Sequence, residues 1–339
     1  MGKYVVLADC IADEVQPLAS MMRLAGNEFL IESNIANWKR TGTLSEIKRY
    51  ATYFSVGFRA FVNRRRYSAI VGWQQFYALI FTFFCELFRV RKTTVAIALN
   101  FTYKEKRGIA AAIYRWFMGK CVSEKYLDYL HVLSHSYADV IAEEFHFPRD
   151  RIIVTDFGVN DKYAELSQTE PPNQYVKDHY ALAIGRSNRD YDFLIEAWKE
   201  IDYPLVIISD TYEGTTDDSN ISIFRNIAGE ESEPWIANCG LLIIPIADSQ
   251  VCSGDTVLLT AMSLKRKILV TAPSMLAETY VNNGENAVLS PKQLDVFRKI
   301  VKEILNENTY KNLGEKARES FLENYSRSNM GRKITEAIQ

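Results

Sequence analysis

The chain has 339 residues, of which 47% are apolar, 24% charged and 12% aromatic, and its formal net charge is −2. At about 100–200 residues per domain this is more chain than one hydrophobic core serves, so two domains are expected. The composition excludes disorder, a collagen-like repeat and a coiled coil.

Residues 1–8 (MGKYVVLA) turn polar without the apolar core of a signal peptide, so secretion is not expected. Cys10, Cys85, Cys121, Cys239 and Cys252 are odd in number, scattered and form no CxxC pair. This fits reduced thiols in a cytosol, with no disulfide framework and no zinc site. Among four histidines only His131 and His135 approach metal-ligand spacing, and that pair straddles a predicted strand end.

In chain order, YVVLA (4–8) predicts a short buried parallel strand. A helix over 12–24 follows, then a strand at 28–32 and a helix over 45–63 that Thr43 or Ser45 could cap. The alternation continues with a strand at 68–71, a helix at 74–88, a strand at 94–99 and a helix at 109–118. A strand at 130–133, a helix at 137–144 and a strand at 152–154 close the first half. Repeated strand–helix units imply a parallel sheet covered on both faces.

Residues 165–178 (ELSQTEPPNQYVKD) break this rhythm, and Pro171-Pro172 marks a linker. The alternation then resumes with strands at 180–184, 205–209, 221–224, 241–245 and 268–271, and helices at 191–200 and 256–264. Three helical stretches at 292–305, 310–324 and 327–338 end the chain. The expected fold is α/β, two Rossmann-like doubly wound domains facing a cleft. Residues 1–165, completed by a C-terminal helix at 325–339, form one domain, and 178–324 form the other. Ligands of such sheets sit at the carboxyl ends of the strands.

Charge is segregated. Between Lys39 and Lys120 there are sixteen Lys or Arg against Glu46, Glu86 and Glu105, a net of +13; the other 24 basic and 39 acidic residues leave −15. That asymmetry suggests that one part of the molecule meets an anionic partner. The apolar block FYALIFTFFC (76–85) is too short to span a bilayer, which takes about 20 residues. It reads as a helix buried in a domain, although flanking Arg64, Arg65, Arg66, Arg89, Arg91 and Lys92 suit peripheral contact with anionic lipid. No nucleic-acid reading motif accompanies the basic half.

Two segments suit a diphosphate. At 183–191 (AIGRSNRDY) a strand runs into Gly185, then Arg186, Ser187, Asn188 and Arg189, then a helix. Glycine allows close approach, and guanidinium groups with a helix N-terminus suit phosphate. At 249–256 (SQVCSGDT), Ser253, Gly254, Asp255 and Thr256 open another helix whose first amides are free to bind an anion.

In order and spacing, GRSNRDYDFLIEAW (185–198), LLIIPIADSQVCSGDTVLLTAMSLKRKILVT (241–271) and ETYVNNGENAVLSP (278–291) resemble the donor half of GT-B fold glycosyltransferases. The resemblance is to the retaining group related to glycogen and sucrose synthases and covers about residues 180–291. FGVN (157–160) resembles that group's linker entry. Departures are specific. The group's paired glutamates fall on Cys252 and Thr260, and its donor lysine is absent, leaving Arg189 as the nearest cation.

The resemblance implies transfer of a sugar from a nucleotide-diphosphate sugar to a saccharide acceptor. It implies Gly185, Arg186, Ser187, Arg189, Ser253, Gly254, Asp255 and Thr256 as donor-binding residues. No DxD sequence is placed to hold a metal, since Asp217-Asp218 lies in a polar loop, so a metal-independent reaction with no cofactor is expected. An inverting reaction needs a proton acceptor, for which Asp9, His135 and Asp156 are the candidates. In this fold the first domain commonly takes the acceptor, and its cations suit a lipid-linked saccharide. The expected setting is cytoplasmic, peripheral at the inner face of a membrane, in polysaccharide or glycoconjugate assembly. The missing glutamates keep open a second reading, a non-catalytic GT-B subunit or scaffold for a partner enzyme.

Overall fold

The run YVVLA becomes strand β1 (Lys3–Ala8), with Tyr4 to Ala8 buried, and the strand–helix alternation follows from it. Burying each such large apolar side chain contributes about 1.5–3 kcal/mol. The computed structural model describes residues 3–22, 28–35, 43–103, 106, 108–172, 175–227, 229–306 and 309–339. The end of the first expected helix, at 23–24, lies outside these, as do Lys39, Arg40, Lys104, Glu105 and Arg107 of the basic stretch.

After β1 come α1 (Ala12–Met21), β2 (Phe29–Ser33), α2 (Thr43–Asn63), β3 (Tyr67–Gly72), α3 (Gln75–Leu87) and β4 (Val95–Ala98). Then follow α4 (Ile109–Cys121), β5 (Tyr129–Val132), α5 (His135–Phe145) and β6 (Ile152–Val154). The sheet is parallel in the order β2-β1-β3-β4-β5-β6. Two helix starts in this unit have a side-chain cap. Gln74 accepts from the Phe76 amide at the start of α3. Ser134 accepts from the Tyr137 amide, so α5 begins at His135, two residues before the expected start.

The second half gives α6 (Tyr163–Leu166), β7 (Ala181–Ile184), α7 (Tyr191–Trp198), β8 (Leu205–Ile208), β9 (Ile221–Phe224) and α8 (Glu233–Asn238). It continues with β10 (Leu241–Ile244), α9 (Asp255–Ser263), β11 (Lys267–Ala272), α10 (Met275–Tyr280), β12 (Val288–Pro291), α11 (Leu294–Leu305) and α12 (Leu313–Ser320). Its parallel sheet runs β12-β11-β10-β7-β8-β9. The expected helix at 310–324 is shorter: α12 passes into one π-helical turn over Phe321–Tyr325. The last helix is α13 (Arg327–Ile338).

Contacts divide the chain into two units, Met1–Phe157 with Arg327–Gln339, and Gly158–Ser326. α13 packs on α1, where Gly331 lies so close that an added Cβ would stand 2.4 Å from the Leu18 carbonyl oxygen. The change of unit falls at Phe157/Gly158, before the residue-165 boundary that the sequence suggests, because side chains tie 158–166 into the second unit. Arg318 donates to both carboxylate oxygens of Asp161 at 2.9 Å, and Lys162 pairs with Glu233 at 3.3 Å. The stretch around Pro171-Pro172 is likewise tied inside that unit, with Lys177 donating to the Ser167 carbonyl and Asn238 to that of Glu170.

α3 holds the apolar block 76–85, and Tyr77 to Thr82 are buried in it. Among the described residues no helix is long and apolar enough to cross a membrane.

Candidate donor site

In the second sheet the chain winds outward from β7 through β8 to β9, then returns beside β7 as β10 and winds the other way through β11 to β12. The switch point therefore lies between β7 and β10, and a crevice opens outside their carboxyl ends. Both sequence segments singled out for a diphosphate emerge there. Gly185 follows β7 with φ +148°, and Gly254 precedes α9 with φ +101°, a conformation that favours glycine.

The Arg189 side chain occupies the space that both glycines leave. A Cβ at Gly185 would stand 2.9 Å from Arg189 Nε, and one at Gly254 would stand 2.6 Å from Nη2. Nη1 donates to the Ser187 carbonyl at 3.0 Å and to Ser253 Oγ at 3.4 Å, while Nε is buried without a hydrogen-bond partner. Burial lowers the Arg189 pKa, and nearby Tyr191 and Asp255 oppose that shift. A guanidinium remains charged through such a change, so a positive charge is fixed at the strand ends with hydrogen-bonding capacity left over.

α9 adds to this field. Gly254 provides no side-chain cap, so the amides of Asp255, Thr256 and Val257 in the first turn have no intrahelical acceptor. Arg186 and Ser187 are exposed at the end of β7, and the Arg186 carbonyl accepts from Thr211 Oγ1 at 2.5 Å. The structure thus brings Gly185, Ser187, Arg189, Ser253, Gly254 and Asp255 together, with Arg189 as the seated cation and Arg186 as an exposed one.

Asn188 is part of the expected turn but not of the expected donor-binding set, yet it fastens the two loops to each other. Its Nδ2 donates to the carbonyls of Asp248 at 3.0 Å and Val251 at 3.1 Å, and its Oδ1 accepts from the Asp248 amide at 2.7 Å. Its φ of +55° is one that asparagine tolerates better than most residues. The only sequence signal was an Asn in a strand-to-helix turn; its partners lie about sixty residues away. Asp190 then caps α7 by accepting from the Phe193 amide at 3.1 Å and pairs with Lys292. Tyr191 donates to the Gly185 carbonyl at 2.7 Å, and Thr271 Oγ1 accepts from the Ile246 amide at 2.7 Å. Cys252 is exposed and Thr260 is buried in α9.

In the first sheet the winding reverses between β1 and β3. Asp9 follows β1, and Gln74 after β3 donates to it at 3.5 Å and to the Tyr53 hydroxyl at 3.1 Å. His135 and Asp156 are not gathered with Asp9, because β5 and β6 lie at the far side of that sheet. His135 is exposed beside Arg149, and Asp156 is paired with Lys333 at 3.0 Å. His131 is wholly buried, with Nδ1 accepting from the Asn100 amide. It therefore forms no ligand pair with exposed His135, and no group of His, Cys, Asp and Glu suited to a metal occurs among the described residues.

Neither a protein-family model nor a curated protein sequence matches the chain. Solved structures do. A glycosyltransferase from Rickettsia africae superposes with TM-score 0.63 at 14% identity, covering 99% of this chain and 97% of that one. HepE of Anabaena, in complex with UDP, gives TM-score 0.62 at 11% identity, covering 99% of each chain. The sucrose-phosphate synthase of Thermosynechococcus elongatus gives 0.59 at 12%, covering 100% of this chain and 98% of the other. The likeness is one of fold: the chain has two Rossmann-like domains of the GT-B type.

Proposed function

We propose that the protein is a glycosyltransferase that binds a nucleotide-diphosphate sugar on its second unit and passes the sugar to a saccharide acceptor. The observation that carries this reading is the guanidinium of Arg189, held against Gly185 and Gly254 at a switch point with an unpartnered buried Nε. The fold supports it, since HepE of the same fold binds UDP and has also been seen with UDP-glucose. In the transfer, the acceptor oxygen bonds to the anomeric carbon as the bond from that carbon to the phosphate oxygen breaks. The electron pair leaves on the diphosphate, and the acceptor hydroxyl proton goes to a base. Arg189, exposed Arg186 and the first amides of α9 stabilise the developing charge. In this reading Asp9, at the switch point of the first sheet, takes the proton from an acceptor bound there; its place after β1 supports that role.

With arginines carrying that charge, no metal cofactor is required, and turnover should persist in EDTA. Complete loss on chelation, restored by magnesium or manganese, would contradict this assignment. We further infer an acceptor carried on lipid at the inner face of a membrane, in polysaccharide or glycoconjugate assembly; the +13 segment supports it. Cys252 and Thr260 motivate one other reading, a non-catalytic subunit that retains the nucleotide site. Hydrolysis or transfer from a nucleotide sugar by the purified protein decides between them: nucleotide binding without any donor turnover favours the subunit.

A further inference from the structure

α2 is apolar on both of its sides. Its inward side is already filled, since Tyr53, Val56 and Ala60 are buried and Gly57 lies so close to α3 that a Cβ would stand 2.6 Å from Ile80 Cγ2. Yet Ile47, Tyr50, Phe54, Phe58 and Val62 recur at three- and four-residue spacing, which places them on one outward face. That stripe runs ~22 Å at 1.5 Å per residue. It continues sideways through ring contacts. Phe58 meets Phe84 at 5.0 Å between centroids, Phe54 meets Phe117 at 5.8 Å, and Phe83 meets Trp116 at 6.1 Å. Leu87 and Phe88 at the end of α3, and Ile113 and Trp116 on α4, extend it, all 54% to 66% exposed. Three neighbouring helices thus share one continuous apolar, aromatic outer face.

Its border is basic. Phe61 packs on Phe88 at 5.5 Å, so α2 and α3 end side by side, and Arg65, Arg66, Arg89 and Arg91 stand exposed just beyond those ends. Arg115 and Lys120 lie on α4. The two acids of these helices are neutralised locally, Glu46 by Arg49 at 3.4 Å and Glu86 by Lys120 at 3.6 Å. An apolar patch of this extent marks an interaction surface, and its charge selects the partner. Aromatic and aliphatic groups flanked at one end by four exposed arginines match the interface of an anionic bilayer, with acyl chains below and phosphate above.

We propose that the outer face of α2, α3 and α4 lies in the plane of an anionic membrane, with Ile47, Phe54, Phe58, Val62, Ile113 and Trp116 entering the headgroup boundary. This deepens the reading of a lipid-carried acceptor and does not depend on the donor site.

The test is flotation of the purified chain with vesicles of phosphatidylcholine alone and with vesicles in which a third of the lipid is phosphatidylglycerol. Wild type should float with the anionic vesicles at low salt and much less with neutral ones. I47S/V62S/I113S/W116S changes exposed residues only and should bind anionic vesicles at least about tenfold more weakly, as expected from lost apolar insertion. R65E/R66E should also bind more weakly, and its residual binding should depend less on salt. Circular dichroism and the melting transition of both variants verify the fold, and UDP titration verifies the other unit. Wild type ignoring anionic vesicles, or the serine variant binding like wild type, would overturn the proposal. So would a wild-type dimer that the serine variant converts to monomer, because the occupant would then be a second copy. Vesicle binding without UDP binding would leave this face standing and remove the donor-site reading instead.

Discussion

His131 is wholly buried in β5; its Nδ1 accepts from the Asn100 amide at 3.2 Å, and its Nε2 lies 2.8 Å from Thr155 Oγ1. Thr155 Oγ1 in turn donates to the Asp156 carbonyl at 3.1 Å, so Nε2 carries the proton and donates to Thr155. Burial pushes the imidazole pKa down to about 3. In the unfolded chain the value is about 6.5. Above that, both states are neutral and the group adds no pH dependence. Below it, the unfolded chain takes a proton that the folded one refuses, so stability falls with pH by about 1.4 kcal/mol per unit down to the folded value. In urea unfolding between about pH 6.5 and about pH 5, the loss of stability with falling pH should be steeper in wild type than in His131→Gln, by up to about 1.4 kcal/mol per unit. Equal slopes would contradict it. Cys10, just after β1, is shifted as well: burial, aided by Glu14, raises its thiol to about 12, which removes it as a nucleophile near neutral pH.

Among the elements, those with one simple periodic cause were readable from sequence. The apolar runs YVVLA, LVII and LLII are buried strands because both faces of a parallel sheet are covered. Edge strand β12 carries no strand signal in the sequence, because VLSP has half its residues polar or proline. Helix α8 carries no clear periodic signal, because it is six residues long and follows the acidic turn Gly229–Ser232. At the donor site the glycines and Arg189 were visible as residue types, but the clamp by Asn188 was not, since it depends on which strands become neighbours. The boundary at Phe157 was hidden for the same reason: proline marks a bend, whereas the Asp161–Arg318 pair decides which core the segment joins. The contact of α13 with α1 makes an element-level prediction. In Gly331→Ala the new methyl meets the Leu18 backbone, which cannot turn aside as a side chain could. Overpacking of this kind costs about 1–3 kcal/mol. A melting transition of the first unit unchanged from wild type would contradict the close approach.

At the scale of the whole molecule, two six-stranded parallel sheets, each with one reversal of winding, carry different chemistry at their switch points. The first offers Asp9 held by Gln74, and the second a fixed guanidinium beside a helix N-terminus. The central claim is that the second of these binds a nucleoside diphosphate. Arg189 is the residue on which it turns, because two glycines leave room for its side chain and its Nε has no protein partner. Losing one charge-assisted hydrogen bond of this kind should weaken binding by about 1.5–3 kcal/mol. The deciding measurement is calorimetric titration of wild type and Arg189→Ala with UDP and GDP. The account predicts that wild type binds one of them and that the folded variant binds it at least about tenfold more weakly. Equal affinity in the two proteins, or no binding of either nucleotide by wild type, would contradict it.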